Sequence, residues 1–269
     1  MTPAASFSIA APAKINLYLH VTGTREDGFH LLDSLVAFAG IHDTLSFAAA
    51  DALSLEIDGP FASELTAEPD NLILQAARGL SELAGVPCGA RLSLNKRLPL
   101  ASGIGGGSAD AAATLKGLVR LWNIQPGEQE LHELALTLGA DVPVCLQGQA
   151  AFMGGIGEDL SPAPRLPAGS LVLVNPGVRL STPAVFKGRT GLGGQDSKPG
   201  RFDYAPKDLA ELVAILDVRS NDLAPAAQQM APVIGDVLAA LGECDGALMA
   251  RMSGSGATCF GLFADPGEA

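Results

Sequence analysis

A two-lobed α+β chain is what this sequence predicts, on three observations. The opening segment alternates with the period of a strand: Ile15, Leu17, Leu19 and Val21 fall on one face, Lys14, Asn16, Tyr18 and His20 on the other. Helical patterns then mix with further strands without the regular strand–helix beat of a parallel sheet. Finally, the proline-rich stretch LSPAPRLPAG (160–169) changes the character of the chain and reads as a connection. The boundary is placed accordingly, with a first lobe over 1–158 and a second over 159–269.

Composition bounds the function classes. Of 269 residues, 48% are hydrophobic and 17% charged, which supplies a large core and argues against disorder. The net charge of -12 disfavours the broad basic footprint of a nucleic-acid binder, but leaves room for an anionic small molecule held by a few local donors. Cys88, Cys145, Cys244 and Cys259 form no CxxC pair and read as small buried apolar residues of a reducing cytoplasm. Lys14 interrupts the first apolar stretch, and no run approaches a membrane span. The expected protein is soluble and cytoplasmic, with no nucleic-acid or membrane partner and with monomer and homodimer both open.

Along the chain, TREDGFH (24–30) supplies a turn, and DTLSFAA and LSLEID are strand candidates. Asp70 or Asn71 can cap a helix that turns Leu72, Ile73, Ala76, Ala77 and Leu80 inward. ARLSLNKRL (90–98) is a strand leading into a glycine cluster. A helix follows, starting near Ser108 and burying Ala111, Leu115, Leu118 and Trp122. Another covers Glu128 to Leu138 and stops at Gly139, read as a left-handed terminator. SLVLVNPG is a strand, STPAVF starts a capped helix with Pro183 in its first turn, and GRTGLGGQDSKPGRFDY (188–204) reads as a mobile surface loop.

The glycine cluster carries the chemistry. Strand, glycine loop and helix bring backbone N–H groups together at the positive end of a helix, which suits phosphate without many basic side chains. Gly103, Gly105, Gly106 and Gly107 form the loop, and Ser108 adds a hydroxyl for a phosphate oxygen or a bound magnesium ion. A tight turn is the plainer reading of any single glycine pair; four glycines are more than one turn uses. Three phosphate-binding templates fail. GGGSAD lacks the lysine of a P-loop. Ser108 stands where the dinucleotide fingerprint needs glycine. Protein-kinase HRD and DFG signatures are absent.

Pro99 followed by Gly103-Ile104-Gly105-Gly106-Gly107-Ser108-Ala109 resembles the second motif of the GHMP small-molecule kinases. PAKINLYLHV (12–21) and MSGSGATCFGLF (252–263) match the first and third motifs in order. More narrowly, AKINLYLHVTGTREDGFHLLDSL, DNLI, KRLP, LGADVPV and NPGVRLSTPAVFK resemble the branch of that family that phosphorylates the 2-hydroxyl of a methylerythritol carrying a cytidine diphosphate group, in the non-mevalonate isoprenoid pathway. The similarity runs from about Pro12 to Phe263. It implies a ribosomal-protein-S5-domain-2-like N-terminal lobe that binds ATP, with magnesium as MgATP, a ferredoxin-like C-terminal lobe, and a substrate cleft between them.

Residue by residue, the resemblance implies catalytic roles for Lys14 and Asp141. It implies nucleotide contacts from Asn71 and Lys96 on the adenine side and from Pro99, Gly103, Gly105, Gly106, Gly107, Ser108 and Ala109. Substrate contacts carry over to Asn16, His30, Thr182 and Phe186, and to Asp141 itself. Asp141 would accept the proton of the alcohol, and a neighbouring Lys14 would keep it charged. Lys14 could equally favour the alkoxide or neutralise the γ-phosphate. Phe29 and Phe186 would sandwich a flat pyrimidine whose edge His30 hydrogen-bonds. The family commonly has tyrosine at Phe29, so a hydroxyl contact is lost and the ring kept. Gly254, Ser255 and Gly256 would wall the site near the phosphates. No residue is designated a metal ligand.

Two departures stand out. Asp110 lies where relatives often carry serine or asparagine, and is read as stabilising a helix N-terminus. The chain also ends at Ala269, soon after the third motif, where relatives usually continue. Rival readings are another kinase of the superfamily, acting on mevalonate, homoserine or a sugar, and a catalytically silent nucleotide-binding relative. Retention of both Lys14 and Asp141 disfavours the second.

Overall fold

The structure, a computed structural model, describes residues 6–65, 70–265 and 267. Two long strands open it. β1 (Phe7–Thr24) and β2 (His30–Ala48) pair with each other. Their turn is closed by Arg25 N–H donating to Phe29 O and Gly28 N–H donating to Arg25 O, with Gly28 at φ +88°. DTLSFAA is thus the end of β2 and not a strand of its own. Both faces of β1 are buried: Lys14, Asn16, Tyr18 and His20 lie as deep as the apolar residues between them. The alternation was legible, but its polar face meets polar partners in place of water.

By contact density the chain forms two compact units that interleave in sequence. The first holds the described residues up to Lys14, those of 39–100, and Gly105–Gly148; the second holds Ile15–Phe38, Ala101–Ile104 and the described residues from Gln149 on. A single cut after residue 158 does not reproduce this division, because β1 and β2, at 18 and 19 residues, are each shared by both units.

In the first unit β3 (Ser54–Asp58) runs parallel to β4 (Arg91–Asn95), and β4 pairs antiparallel with Thr44–Ala48 of β2. Parallel neighbours need a crossover, and α1 (Leu72–Ala84) supplies it. Asn71 caps α1, its Oδ1 accepting from Ile73 N–H at 2.9 Å, and Gly85 ends it at φ +63°. α2 (Gly106–Leu121) is buried along most of its length by Ala109, Ala111, Ala112, Ala113, Leu115 and Leu118. The Phe47 ring lies so close to Gly117 that a Cβ there would come within 2.1 Å of it. Trp122, half-buried, follows the helix and donates to Gly89 O. α3 (Glu128–Leu138) does stop at Gly139, but with φ +155° and ψ 152°. That glycine is extended, not left-handed helical as expected, and it leads the chain toward Asp141 and α4 (Val142–Gln147).

In the second unit β5 (Ala151–Gly155) pairs antiparallel with Leu32–Val36 of β2 and with β6 (Asp159–Pro162). The proline-rich stretch therefore begins inside a sheet, and the connection starts only at Ala163. A second sheet has the antiparallel order β7 (Ser170–Val174), β9 (Cys259–Phe263), β8 (Ala247–Met252). α5 (Thr182–Gly191) starts after Ser181 with Pro183 in its first turn, although Ser181 makes no side-chain cap. α6 (Leu209–Asp217), α7 (Ala224–Met230) and α8 (Val233–Gly242) complete the unit around Val21, Val185, Leu223, Ala227, Ile234 and Met252.

The segment expected as a mobile loop is tied down. Ser197 N–H donates to Val21 O at 2.8 Å, Gly200 N–H to Asp33 Oδ2 at 2.6 Å, and Arg201 Nε to Asp33 Oδ1 at 2.8 Å. Tyr18 Oη donates to the same Asp33 at 2.8 Å, and burial pushes that phenol well above its ordinary range. The four cysteines are free, but only Cys145 and Cys259 are buried as expected; Cys88 is half-buried and Cys244 exposed.

Candidate active site

Asp141 occupies the N-cap position of α4, yet its side chain makes no cap hydrogen bond. It reaches Lys14 on β1 instead: Lys14 Nζ lies 3.0 Å from Asp141 Oδ2, with side-chain exposures of 5% and 30%. Gly105 lies against both. A Cβ on it would stand 3.2 Å from Lys14 Cε and 3.7 Å from Asp141 Oδ2, and its φ of +64° suits glycine. Gly105 of the glycine loop and the lysine–aspartate pair expected from sequence are therefore one cluster in the first unit. Gly106, Gly107 and Ser108 are the first residues of α2, whose leading N–H groups have no acceptor in the preceding turn. Gly107 and part of Ser108 are open to solvent, while Ala109 is buried and Pro99 half-buried.

The two residues expected on the adenine side both have protein partners. Asn71 spends its Oδ1 on capping α1. Lys96 is 1% exposed, with Nζ at 2.6 Å from Asp43 Oδ2 and 2.7 Å from Asp110 Oδ2. Asp110 is thus the partner of a lysine rather than a stabiliser of the helix end. It sits one turn inside α2, where the macrodipole has faded. Burial first, then Asp43, pushes its carboxyl up to about 7 against the lowering pull of Lys96. Burial lowers the Lys96 ammonium, but Asp110 and Asp43 outweigh it and hold it above its ordinary value.

In the second unit, Gly103 packs against the loop of the third motif. A Cβ on Gly103 would meet Ser253 O at 2.5 Å and Gly256 N at 2.8 Å. Ser253 Oγ donates to Gly103 O at 3.0 Å and accepts from Asn16 N–H at 3.1 Å. Asn16 Nδ2 donates to Ser34 Oγ at 2.8 Å, and Thr182 Oγ1 and Ser255 Oγ are 2.8 Å apart. Asn221, which no motif signalled, donates to both Met252 O and Gly254 O at 2.8 Å and so shapes the loop holding Gly254, Ser255 and Gly256. The aromatic arrangement differs from expectation. Phe186 stacks on His30, centroids 4.9 Å apart and 11° between planes, while Phe29 is 56% exposed with the Arg25 guanidinium over its ring. The stack with His30, the residue after Phe29, covers one face of the Phe186 ring.

Comparison with known proteins fits this geometry. Residues 71–149 match the model for the GHMP kinases N terminal domain, and residues 205–269 match GHMP kinases C terminal. The chain is 56% identical over 264 residues to a 4-diphosphocytidyl-2-C-methyl-D-erythritol kinase of Paramagnetospirillum magneticum, covering 98% of this chain and 91% of that one. The chain belongs to that kinase family. A crystal structure of 4-(cytidine 5'-diphospho)-2C-methyl-D-erythritol kinase shares 34% identity at a TM-score of 0.77, covering 98% of this chain and 92% of the other. A homoserine kinase from Cytophaga hutchinsonii, 20% identical with a TM-score of 0.70 over 98% of this chain and 86% of its own, shares the fold. The family fixes the fold class read from sequence, the two-lobed GHMP kinase α+β fold, and makes this an ATP-dependent small-molecule kinase. Asp43 and Asn221 escaped the sequence reading. A charged residue within the alternating strand HDTLSF was the available signal for Asp43.

Proposed function

We propose that the chain transfers the γ-phosphoryl group of ATP to the 2-hydroxyl of 4-diphosphocytidyl-2-C-methyl-D-erythritol. The observation that carries the mechanism is the Lys14–Asp141 contact at 3.0 Å against Gly105. The Asp141 carboxylate takes the hydroxyl proton as the alcohol oxygen bonds to the γ-phosphorus, and the bond to the β-phosphate oxygen breaks to release ADP. Lys14 holds Asp141 in place, and its ammonium offsets negative charge building on the transferred group. Such transfer depends on alignment and charge stabilisation more than on covalent help.

The α2 amides from Gly106 to Ser108 and the positive end of that helix are assigned to the phosphates, with Gly103, Gly105, Pro99 and Ala109 shaping the loop. Asn71 is assigned to the adenine side of the nucleotide through α1. Magnesium is assigned to the nucleotide's own oxygens, where it neutralises phosphate charge; among the described residues no three His, Cys, Asp or Glu side chains gather as a metal site. His30 and Phe186 are assigned to the cytosine, with Phe29 beside them, and Asn16, Thr182, Gly254 and Ser255 to the rest of the substrate. The reaction is assigned to the cytoplasm; among the described residues no helix is long and apolar enough to cross a membrane.

ADP release on adding each candidate alcohol tests the reading. The cytidyl substrate is expected to support turnover and mevalonate or homoserine none. Turnover with mevalonate and none with the cytidyl substrate would overturn it.

A further inference from the structure

Lys96 is the residue whose surroundings fit its expected role least. Its backbone is fixed on both sides, Lys96 N–H donating to Asp58 O at 2.6 Å and its carbonyl accepting from Phe61 N–H at 3.2 Å. Its ammonium contacts two carboxylates from different elements. Asp43 comes from β2, and its second oxygen accepts from the N–H groups of Arg97 at 2.5 Å and Leu98 at 2.8 Å. Asp110 comes from the second turn of α2. The ammonium also lies directly behind the helix start: a Cβ on Gly106 would stand 3.3 Å from Lys96 Nζ and 3.8 Å from Asp43 Oδ2. Reaching an adenine would require this lysine to leave two buried charges, a step far costlier than one base contact returns.

We propose that Lys96 is a positioning residue of the phosphate loop, joining Asp43 to Asp110 so that the chain after Lys96 stays fixed and the first turn of α2 keeps the form in which its amides meet phosphate. This rests on the assignment of that loop to the nucleotide. Asp43 sets the chain leaving Lys96 through its two amide contacts, Asp110 sets the helix, and the ammonium is the pin between them. The charge count agrees. Two carboxylates and one ammonium are enclosed with side-chain exposures of 4% or less, and Asp110 Oδ1 has no hydrogen-bond partner among the described residues. Without Lys96 the two carboxyl groups face each other with no cation between them. If Asp110 is neutralised as well, Asp43 keeps its two amide donors and the remaining cluster is balanced again. Rescue by a second substitution is therefore a signature of this arrangement.

The test measures binding of MgATP, and of magnesium tripolyphosphate, a probe with phosphates and no base, to the full chain by calorimetry. Lys96→Met is expected to weaken both about tenfold, by the same factor, and Lys96→Met with Asp110→Asn to recover most of both. The KM for the cytidyl substrate should stay near that of the wild type. A Lys96→Met protein weakened for MgATP alone would overturn the proposal in favour of an adenine contact. A double variant no better than the single one would overturn it in favour of direct contact with phosphate. Should Lys96→Met not fold, Asp110→Asn carries the test: it must change MgATP and tripolyphosphate affinity by one common factor, and unchanged affinities overturn the proposal. A wild-type chain that binds MgATP but not tripolyphosphate would remove the phosphate-loop assignment and the proposal with it.

Discussion

Two lysine–carboxylate clusters sit in the first unit and differ in what surrounds the same chemical groups. Lys14 and Lys96 are both nearly buried, so burial of the ammonium does not separate them. Their acids do. Asp141 is 30% exposed and uncommitted as a cap, so its carboxylate is open on one side. Asp43 and Asp110 are closed off, and the Asp43 carboxylate is spent on Lys96 and two backbone amides. A buried charged cluster with no open side holds a structure in register; the same pair with one open acid can move a proton.

The sharpest way to break this contrast is Asp141→Asn. Removing a general base is expected to lower kcat by about 10²–10⁴ while leaving MgATP affinity near that of the wild type. Steady-state ADP release beside nucleotide binding checks it, and near-normal turnover would sink the assignment. Next comes stability. Lys96→Met leaves uncompensated buried carboxylates and is expected to cost about 3–5 kcal/mol in a denaturant titration. Lys14→Met should cost clearly less, since Asp141 reaches water; equal losses would erase the distinction drawn here.

A smaller effect is the pH dependence of Asp110. Its folded-state carboxyl titrates near 7, above the unfolded value of 3.8, so its contribution to stability is complete below pH 3.8 and is lost as pH rises to about 7. Relative to Asp110→Asn, the wild-type denaturation midpoint should therefore fall between about pH 4 and 7 and level off above that. Parallel curves for the two proteins would contradict it. The smallest effect concerns Cys145, one turn into α4 from Asp141, whose thiol is pushed up to about 12, by burial first and then by Asp141. Alkylation near pH 8 should modify exposed Cys244 first and leave Cys145 intact, as read by peptide mass spectrometry. Equal rates would mean that the turn carrying Asp141 opens to solvent.

Several pieces of this site were legible because their signals are local. Asp70-Asn71 before an inward-facing run announced the α1 cap, four glycines before alanines announced the α2 start, and the spacing within β1 put Lys14 and Asn16 on one strand face. Other pieces were misread for a common reason. The pattern of β1 reports which residues share a face and not what covers that face, so a buried polar side looked wet. Gly139 shows that a helix stop can be read where its conformation cannot. Arg201 and Gly200 lie in a segment that is loop-like in composition, yet Asp33, more than 160 residues away in sequence, fastens both.

The sequence by itself determined the family, the order of strands and helices around its three motifs, and which lysine and aspartate to look for as a pair. Short-range periodicity, caps and motif residues carry that information directly. Only the tertiary structure decided which lysine faces an open acid and which is locked between two closed ones. It also decided that Phe186 stacks on His30, and that β1 and β2 are each divided between two units. These outcomes depend on contacts between residues distant in sequence, whose burial and charge are set by packing, and no local pattern records them.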